Sequence, residues 1–301
     1  METTRRGFLQ VAGLAAVGLV VAKPAIDLFS HLNTSGTQAE IADQIRLAMA
    51  IDINACNKYK EENGGCNLCE VACHTWHKVP DIPDHEEEIK WIWEDYSGKV
   101  FEEHQMKFID YDKHEELETK LPLVKLLCNQ CHNPPCIKYC PTRATWKRSD
   151  GIIMVDFHRC IGCRYCMAGC PYGARSFNWR KARSSISNPW RLPQPAGVDD
   201  QKLDSDFPSR TRGMVEKCNF CADILITKED GLLDLDDNGN AKEDQIPKCV
   251  KACQADALIY GNLLNHESDV YKAITDAHVH VLRRLPELGT NPNNYYILKE
   301  A

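Results

Sequence analysis

The 301-residue sequence has no glycine-rich phosphate loop, no nucleophile–base pairing and no flavin fingerprint. Those absences argue against a catalytic site of its own and against a small-molecule substrate. Excess positive charge is missing as well. Lys and Arg number 36 against 43 Asp and Glu, a formal net charge of −7, whereas a nucleic-acid partner calls for a basic patch. Long apolar runs are also absent. The one stretch of interest to a bilayer, Phe8–Ala22, spans fifteen residues, short of the roughly 20 that a spanning helix needs. It follows Thr4-Arg5-Arg6-Gly7-Phe8-Leu9, so residues 1–22 read as a twin-arginine (Tat) signal segment. Val20 and Ala22 suit cleavage after Ala22, and retention as an N-terminal anchor is the alternative. Tat carries folded proteins, which suits a chain whose metal centres are built before export, and the expected location is periplasmic.

No cysteine is left over either. All sixteen fall into four groups: Cys56-x9-Cys66-x2-Cys69-x3-Cys73, Cys128-x2-Cys131-x4-Cys136-x3-Cys140, Cys160-x2-Cys163-x2-Cys166-x3-Cys170 and Cys218-x2-Cys221-x27-Cys249-x3-Cys253. Pro171 follows the third group and completes the bacterial ferredoxin run, in which three cysteines hold one [4Fe–4S] cluster and the fourth reaches a neighbouring one. Four groups imply four [4Fe–4S] clusters. Thiolate sulfur also suits zinc, but zinc sites use two separated pairs or mix in histidine, whereas three closely spaced thiolates cap three corners of a cubane. Disulfides would not require this regularity. Cys128-Asn-Gln-Cys131-His132 spells the c-type haem attachment signal, yet a haem there would strand Cys136 and Cys140.

If groups two and three share fourth ligands, Cys128, Cys131 and Cys136 take Cys170 (cluster 2), while Cys160, Cys163 and Cys166 take Cys140 (cluster 3). Groups one and four would do likewise, giving Cys56, Cys66, Cys69 with Cys253 (cluster 1) and Cys218, Cys221, Cys249 with Cys73 (cluster 4). Spacing alone does not fix which groups pair; the long excursions in groups one and four make their mutual pairing the economical choice.

The expected fold is α+β, two ferredoxin-like units with insertions. Residues 23–45 read as a linker and 46–121 as a first ferredoxin half. Residues 122–180 form a central two-cluster unit, 181–213 a proline-bearing surface loop, and 214–260 the half that pairs with the first. Residues 261–301 are a cysteine-free C-terminal tail, expected to pack over the outside or meet a partner. Alternation predicts a strand over Arg46–Ile53 leading to Asp52-x3-Cys56, and Ile152–Val155 repeats the device before Asp156-x3-Cys160. A Cys-x3-Ala turn recurs at Cys140, Cys170 and Cys253, with short strands expected after it at Ala144–Arg148 and Asp256–Tyr260. Insertion 74–121 carries Trp91, Trp93, Tyr96, Phe101, Phe108 and Tyr111, read as core or interface, and His74, Trp76 and His77 sit where they can tune the first group or face a partner. Within the acidic insertion 222–248, Asp234-x-Asp236-x-Asn238-Gly239 starts like a calcium loop. Gln245 stands where the bidentate Glu belongs, so a solvated turn is the better reading.

In this order the four groups resemble the four-cluster iron–sulfur subunits that accompany molybdopterin reductases. The resemblance covers most of residues 46–260 and is carried by Cys160–Arg175 and by Asn133-Pro-Pro-Cys136. Glu88–Trp93, Ala174–Trp179, Gly213–Cys221 and Pro286–Gly289 are further similar to the DsrO family, exported iron–sulfur subunits of DsrMKJOP complexes of dissimilatory sulfur metabolism. The resemblance implies a non-catalytic electron-transfer subunit. It would dock on a quinone-interacting integral-membrane subunit (DsrP/NrfD-like), near a multihaem cytochrome c (DsrJ-like) and other DsrMKJOP subunits. The ligand sharing of the wider family agrees with the crossed sets above. The sequence departs from the family in the nine-residue gap after Cys56, which makes Cys56 the weakest ligand, and in the acidic insertion. One rival reading is a relay for a molybdopterin reductase of polysulfide, tetrathionate or a similar oxyanion; a second is a structural zinc protein.

Overall fold

The computed structural model describes residues 45–79, 82, 84–101, 122–179, 212–225 and 235–299. The expected signal segment and linker to residue 44, residues 181–211 of the expected loop, Phe108, Tyr111 and Asp234 lie outside the described residues. Among the described residues the strands are β1 (Leu47–Asp52), β2 (Ile92–Tyr96), β3 (Leu123–Leu127), β4 (Thr145–Lys147), β5 (Ile153–Val155), β6 (Ser176–Phe177), β7 (Val215–Glu216), β8 (Leu258–Asn262), β9 (Val279–Leu282) and β10 (Asn294–Lys299). The helices are α1 (Ile53–Asn63), α2 (Leu68–His77), α3 (Ser97–Val100), α4 (Pro135–Lys138), α5 (Tyr165–Ala168), α6 (Lys248–Lys251) and α7 (Asp269–Thr275).

The alternation over residues 47–51 separates two apolar layers rather than core from solvent, because all six residues of β1 are buried. Leu47, Met49 and Ile51 enter the main core with Trp91, Tyr260 and Tyr296, while Ala48 and Ala50 leave room for Val270 of α7 on the other face. The expected strand loses Ile53 to α1. Asp52 caps that helix, its Oδ1 accepting the Ala55 N–H at 2.9 Å, and a helix opens where its cap residue stands.

The tail expected on the outside is core. β10 lies between β1 and β9 in a sheet of order β8-β1-β10-β9, parallel to β1 with Met49 opposite Asn294 and Ile51 opposite Tyr296. Tyr296 and Ile297 are fully buried. Without β10, β1 would expose a row of unpaired backbone groups, so a cysteine-free apolar strand serves the sheet and not the metal chemistry.

The internal repeat is visible in the backbone. β4 pairs antiparallel with β5, as β8 pairs with β1. The Asp156 N–H donates to Ala144 O at 2.7 Å, and the Asp52 N–H donates to Ala257 O at 2.8 Å. Each strand ahead of a cysteine loop is thus tied to a Cys-x3-Ala turn. The third residue of that turn is left-handed in all three copies: Arg143 at φ 55°, Gly173 at 63° and Asp256 at 48°. The residue before the second cysteine of three C-x2-C loops is left-handed too: Gln130 at 42°, Gly162 at 68° and Phe220 at 53°. Gly162 has a second reason to be glycine, since a Cβ there would fall 2.2 Å from Gly213 O.

If the C-terminal segment is core, Tyr296→Ala should cost about 3–5 kcal/mol in chemical denaturation. Tyr296→Phe should cost little, because among the described residues the buried Tyr296 hydroxyl has no hydrogen-bond partner. An alanine penalty under about 1 kcal/mol would return the segment to the surface.

Candidate iron–sulfur sites

None of the sixteen cysteines forms a disulfide. Helical turns carry the third cysteine of three groups: Cys136 on α4, Cys166 on α5 and Cys249 on α6. In each, the next cysteine (Cys140, Cys170, Cys253) falls just past the helix end. Group one is built differently. Its nine-residue gap is occupied by α1, closed by the left-handed Gly64, and Cys69 and Cys73 stand one turn apart on the ten-residue α2.

The chain brings these sulfurs together across groups. Cys140 lines one cavity with Cys160, Cys163 and Cys166. Cys170 lines another with Cys128, Cys131 and Cys136. Cys69 is within electrostatic reach of Cys253, Cys56 and Cys66, and Cys73 of Cys249, Cys218, Cys221 and Cys69. The sets adjoin one another in a definite order. Cys249 is within electrostatic reach of Cys69, Cys218 of Cys128, and Cys166 of Cys136. The Cys66 set therefore borders the Cys221 set, which borders the Cys131 set, which borders the Cys163 set. Among the described residues, no three His, Cys, Asp or Glu side chains converge closely enough for a single metal ion. Four sulfurs around a common cavity are the donor set of a [4Fe–4S] core.

Burial dominates the electrostatics. It pushes Cys69 up to about 11, and Cys131 and Cys218 up to about 12, with neighbouring thiolates adding to the effect. Bare thiols here stay protonated at neutral pH, so loading iron must displace their protons. Cys140 goes the other way. Burial would raise it, but the Thr145 N–H at 3.4 Å from its Sγ and the Thr142 hydroxyl outweigh burial and hold it below its ordinary value. Backbone N–H groups also reach Cys218 from Phe220 at 3.5 Å and Cys221 from Lys248 at 3.4 Å.

Charged side chains that the spacing pattern did not single out stand among these sulfurs. Arg175 and Lys217 are buried beside them. Burial pulls Lys217 down and the Cys128 sulfur pulls it back; burial is outweighed at Arg175, which Cys136 and Cys166 hold above its usual value. Lys125 is buried near Cys69 and paired with Glu94 at 2.6 Å and Glu70 at 3.3 Å. Both Arg175 and Lys217 fall inside the stretches that carry the family resemblance, and a lysine directly before C-x2-C was the available signal.

His77 and Trp76 bracket Asp223. His77 Nε2 lies 3.3 Å from Asp223 Oδ1, and Trp76 Nε1 donates to Oδ2 at 2.6 Å. Burial raises Asp223, but these donors win and hold its carboxyl below the ordinary range. The His77 ring also stacks on Trp91 and approaches Cys73 Sγ at 3.6 Å, so both residues serve the Cys218–Cys221 neighbourhood. Trp91, Phe101 and Val100 are core. His132 is exposed and turned towards Lys147, away from any fifth-ligand role. Asp236 Oδ1 accepts the N–H groups of Asn238 and Asn240, closing its own turn.

Residues 120–186 match a family profile described as a 4Fe-4S dicluster domain. Over its whole length the chain is similar to the Hdr-like menaquinol oxidoreductase iron-sulfur subunit 1 of Archaeoglobus fulgidus, 33% identical with 97% of each chain covered. It is 33% identical to the menaquinone reductase iron-sulfur cluster-binding subunit of Nitratidesulfovibrio vulgaris, over 84% of this chain and 89% of the relative. A tetrathionate reductase subunit of Salmonella typhimurium is 27% identical over 99% of this chain and 89% of its own.

The Lys125 network gives a pH-dependent test. Burial raises Glu94, but hydrogen bonds from Lys125 and Lys60 outweigh it and leave the carboxyl lowered from 4.5. A lowered carboxyl adds stability that is present above 4.5 and lost as pH falls through its folded value. Glu94→Gln should cost about 2–3 kcal/mol at pH 7. The same gap should hold at pH 5.5 in urea denaturation and close only at more acid pH; a gap that halves by pH 5.5 would contradict the lowered carboxyl.

Proposed function

The chain belongs to the family of iron–sulfur electron-transfer subunits of menaquinol-linked and sulfur-compound oxidoreductases, and from that premise we propose that it relays electrons through four [4Fe–4S] clusters without a catalytic site of its own. The observation that carries this reading is the crossing of the fourth sulfur. Cys140 stands with Cys160, Cys163 and Cys166, and Cys170 with Cys128, Cys131 and Cys136. On the same reading Cys253 completes the cluster of Cys56, Cys66 and Cys69, and Cys73 completes that of Cys218, Cys221 and Cys249, as their mutual proximity supports. Each cluster supplies a one-electron couple. The protein's part is to hold neighbouring couples side by side, aim N–H groups at the sulfurs and bury half of the cysteines away from water.

Export by Tat to the periplasm follows from Arg5-Arg6 and the apolar run behind them. Among the described residues no helix is long and apolar enough to cross a membrane. Contact with the quinone pool would run through a membrane subunit of the DsrP/NrfD type. A DsrO-like role in a DsrMKJOP complex, beside a DsrJ-like cytochrome c, is the specific assignment we favour. The exposed Ile161, Tyr165 and Cys163 would give one terminal cluster an apolar face for a redox partner. The similarity to a tetrathionate reductase subunit supports a second reading, a relay for a molybdopterin enzyme.

Mild-detergent purification of the native complex with metal analysis tests these readings. We expect roughly sixteen irons per chain, with covalent haem and no molybdenum in the complex. Molybdenum in place of haem would move the chain to the second reading, and zinc in place of iron would end the relay. Cys140→Ser should perturb the EPR signal of the cluster held by Cys160, Cys163 and Cys166; damage to the Cys131 cluster alone would refute the crossing.

A further inference from the structure

Two cations are buried among the cysteine sets, and among the described residues no carboxylate pairs with either. Arg175 is 4% exposed. Its Nη1 donates to Thr145 Oγ1 at 3.3 Å, and its guanidinium faces Cys136 and Cys166. Among the described residues its buried Nη2 has no hydrogen-bond partner, while the guanidinium bonds towards the Cys136 and Cys166 sulfurs. Lys217 is 3% exposed, and its Nζ donates to the carbonyls of Ile153 and of Cys218, the latter at 2.9 Å. Both acceptors are neutral. The ionisable sulfurs that bear on Lys217 are Cys128, Cys218 and Cys136.

The placement is selective. Arg175 lies where the Cys131 set borders the Cys163 set, and Lys217 where the Cys131 set borders the Cys221 set. Lys125, at the Cys69 end, is equally buried but already carries Glu94 and Glu70 as partners. A guanidinium keeps its charge at any working pH, and a buried cation without a counter-ion is strongly unfavourable. The fully thiolate-ligated core is the anion that would satisfy both. The guanidinium that reaches the Cys136 and Cys166 sulfurs is a donor suited to such a core.

Resting on the four-cluster reading above, we propose that Arg175 and Lys217 are the counter-charges of the inner clusters, and that the cluster of Cys128, Cys131, Cys136 and Cys170, flanked by both, has the highest reduction potential of the four. Reduction adds one electron to a core; no bond forms or breaks and no proton is required. The extra negative charge is stabilised by a fixed cation in a low-dielectric surround. At the Cys69 end the carboxylates of Glu94 and Glu70 cancel that help.

The test is an EPR-monitored redox titration of the intact complex, with dithionite as electron donor, the signal of this cluster being identified by Cys131→Ser. In the unaltered protein that signal should have the highest midpoint. Arg175→Met should make the Cys131 and Cys163 clusters about tenfold harder to reduce, a fall of about 59 mV for a one-electron couple. It should leave the Cys66 cluster unmoved. Lys217→Met should act on the Cys131 and Cys221 clusters instead, and Arg175→Lys should restore most of the lost potential. Midpoints that do not move, that all move equally, or a different cluster at the top of the wild-type order would overturn the proposal. If the Met variants fail to assemble, the wild-type order and the Arg175→Lys titration decide it. Iron well short of four clusters in the unaltered chain would instead defeat the four-cluster reading itself, whereas full iron with unmoved midpoints defeats only the charge assignment.

Discussion

Gathering sixteen sulfurs into adjoining, mostly buried sets pits charge against solvation, and the rest of the molecule is organised around that conflict. Burial, with neighbouring thiolates adding to it, drives Cys131 and Cys218 up to about 12. Thiolates can exist there only if something shares their charge. Iron does most of that in the reading proposed here. Backbone N–H groups at Cys140, Cys218 and Cys221 and the buried Arg175 and Lys217 supply the remainder.

The fold meets the conflict with two small devices used repeatedly. One is the C-x2-C loop with a left-handed residue before its second cysteine, a conformation from which the Phe220 N–H reaches Cys218 Sγ. The other is the Cys-x3-Ala turn, which ends one group while a hydrogen bond accepted by its alanine carbonyl ties it to the strand ahead of another group. That tie is why a cysteine at the end of group two stands with group three. The mixed sheet β8-β1-β10-β9 repeats the arrangement at larger scale, since β8 follows Cys253 and β1 precedes Cys56.

Much of the site was legible in the sequence because its chemistry is written in a residue type with few other uses. The cysteine spacings, the Asp-x3-Cys repeat and the Cys-x3-Ala turn all correspond to local backbone geometry. What was not legible depends on partners distant in sequence. β10 reads as an unremarkable apolar run until β1 pairs with it 245 residues away, as Met49 does with Asn294. Arg175 and Lys217 read as ordinary cations, because burial and the lack of a carboxylate are properties of the folded chain. His77 was seen beside group one, but only the fold brings Asp223 to it. The nine-residue gap after Cys56, which looked like an irregularity, is filled by the rest of the helix Ile53–Asn63 and its left-handed Gly64 cap.

The central claim is that the cysteines hold multi-iron cores in crossed sets that adjoin in one order. Anomalous diffraction at the iron edge, from crystals of the anaerobically prepared complex, measures it directly. Four separate iron peaks are expected, found in the order of the Cys66, Cys221, Cys131 and Cys163 sets, with density from Cys140 running to the last and from Cys170 to the third. Two peaks, single-atom peaks at the zinc edge, or a fourth sulfur bound within its own group would contradict it.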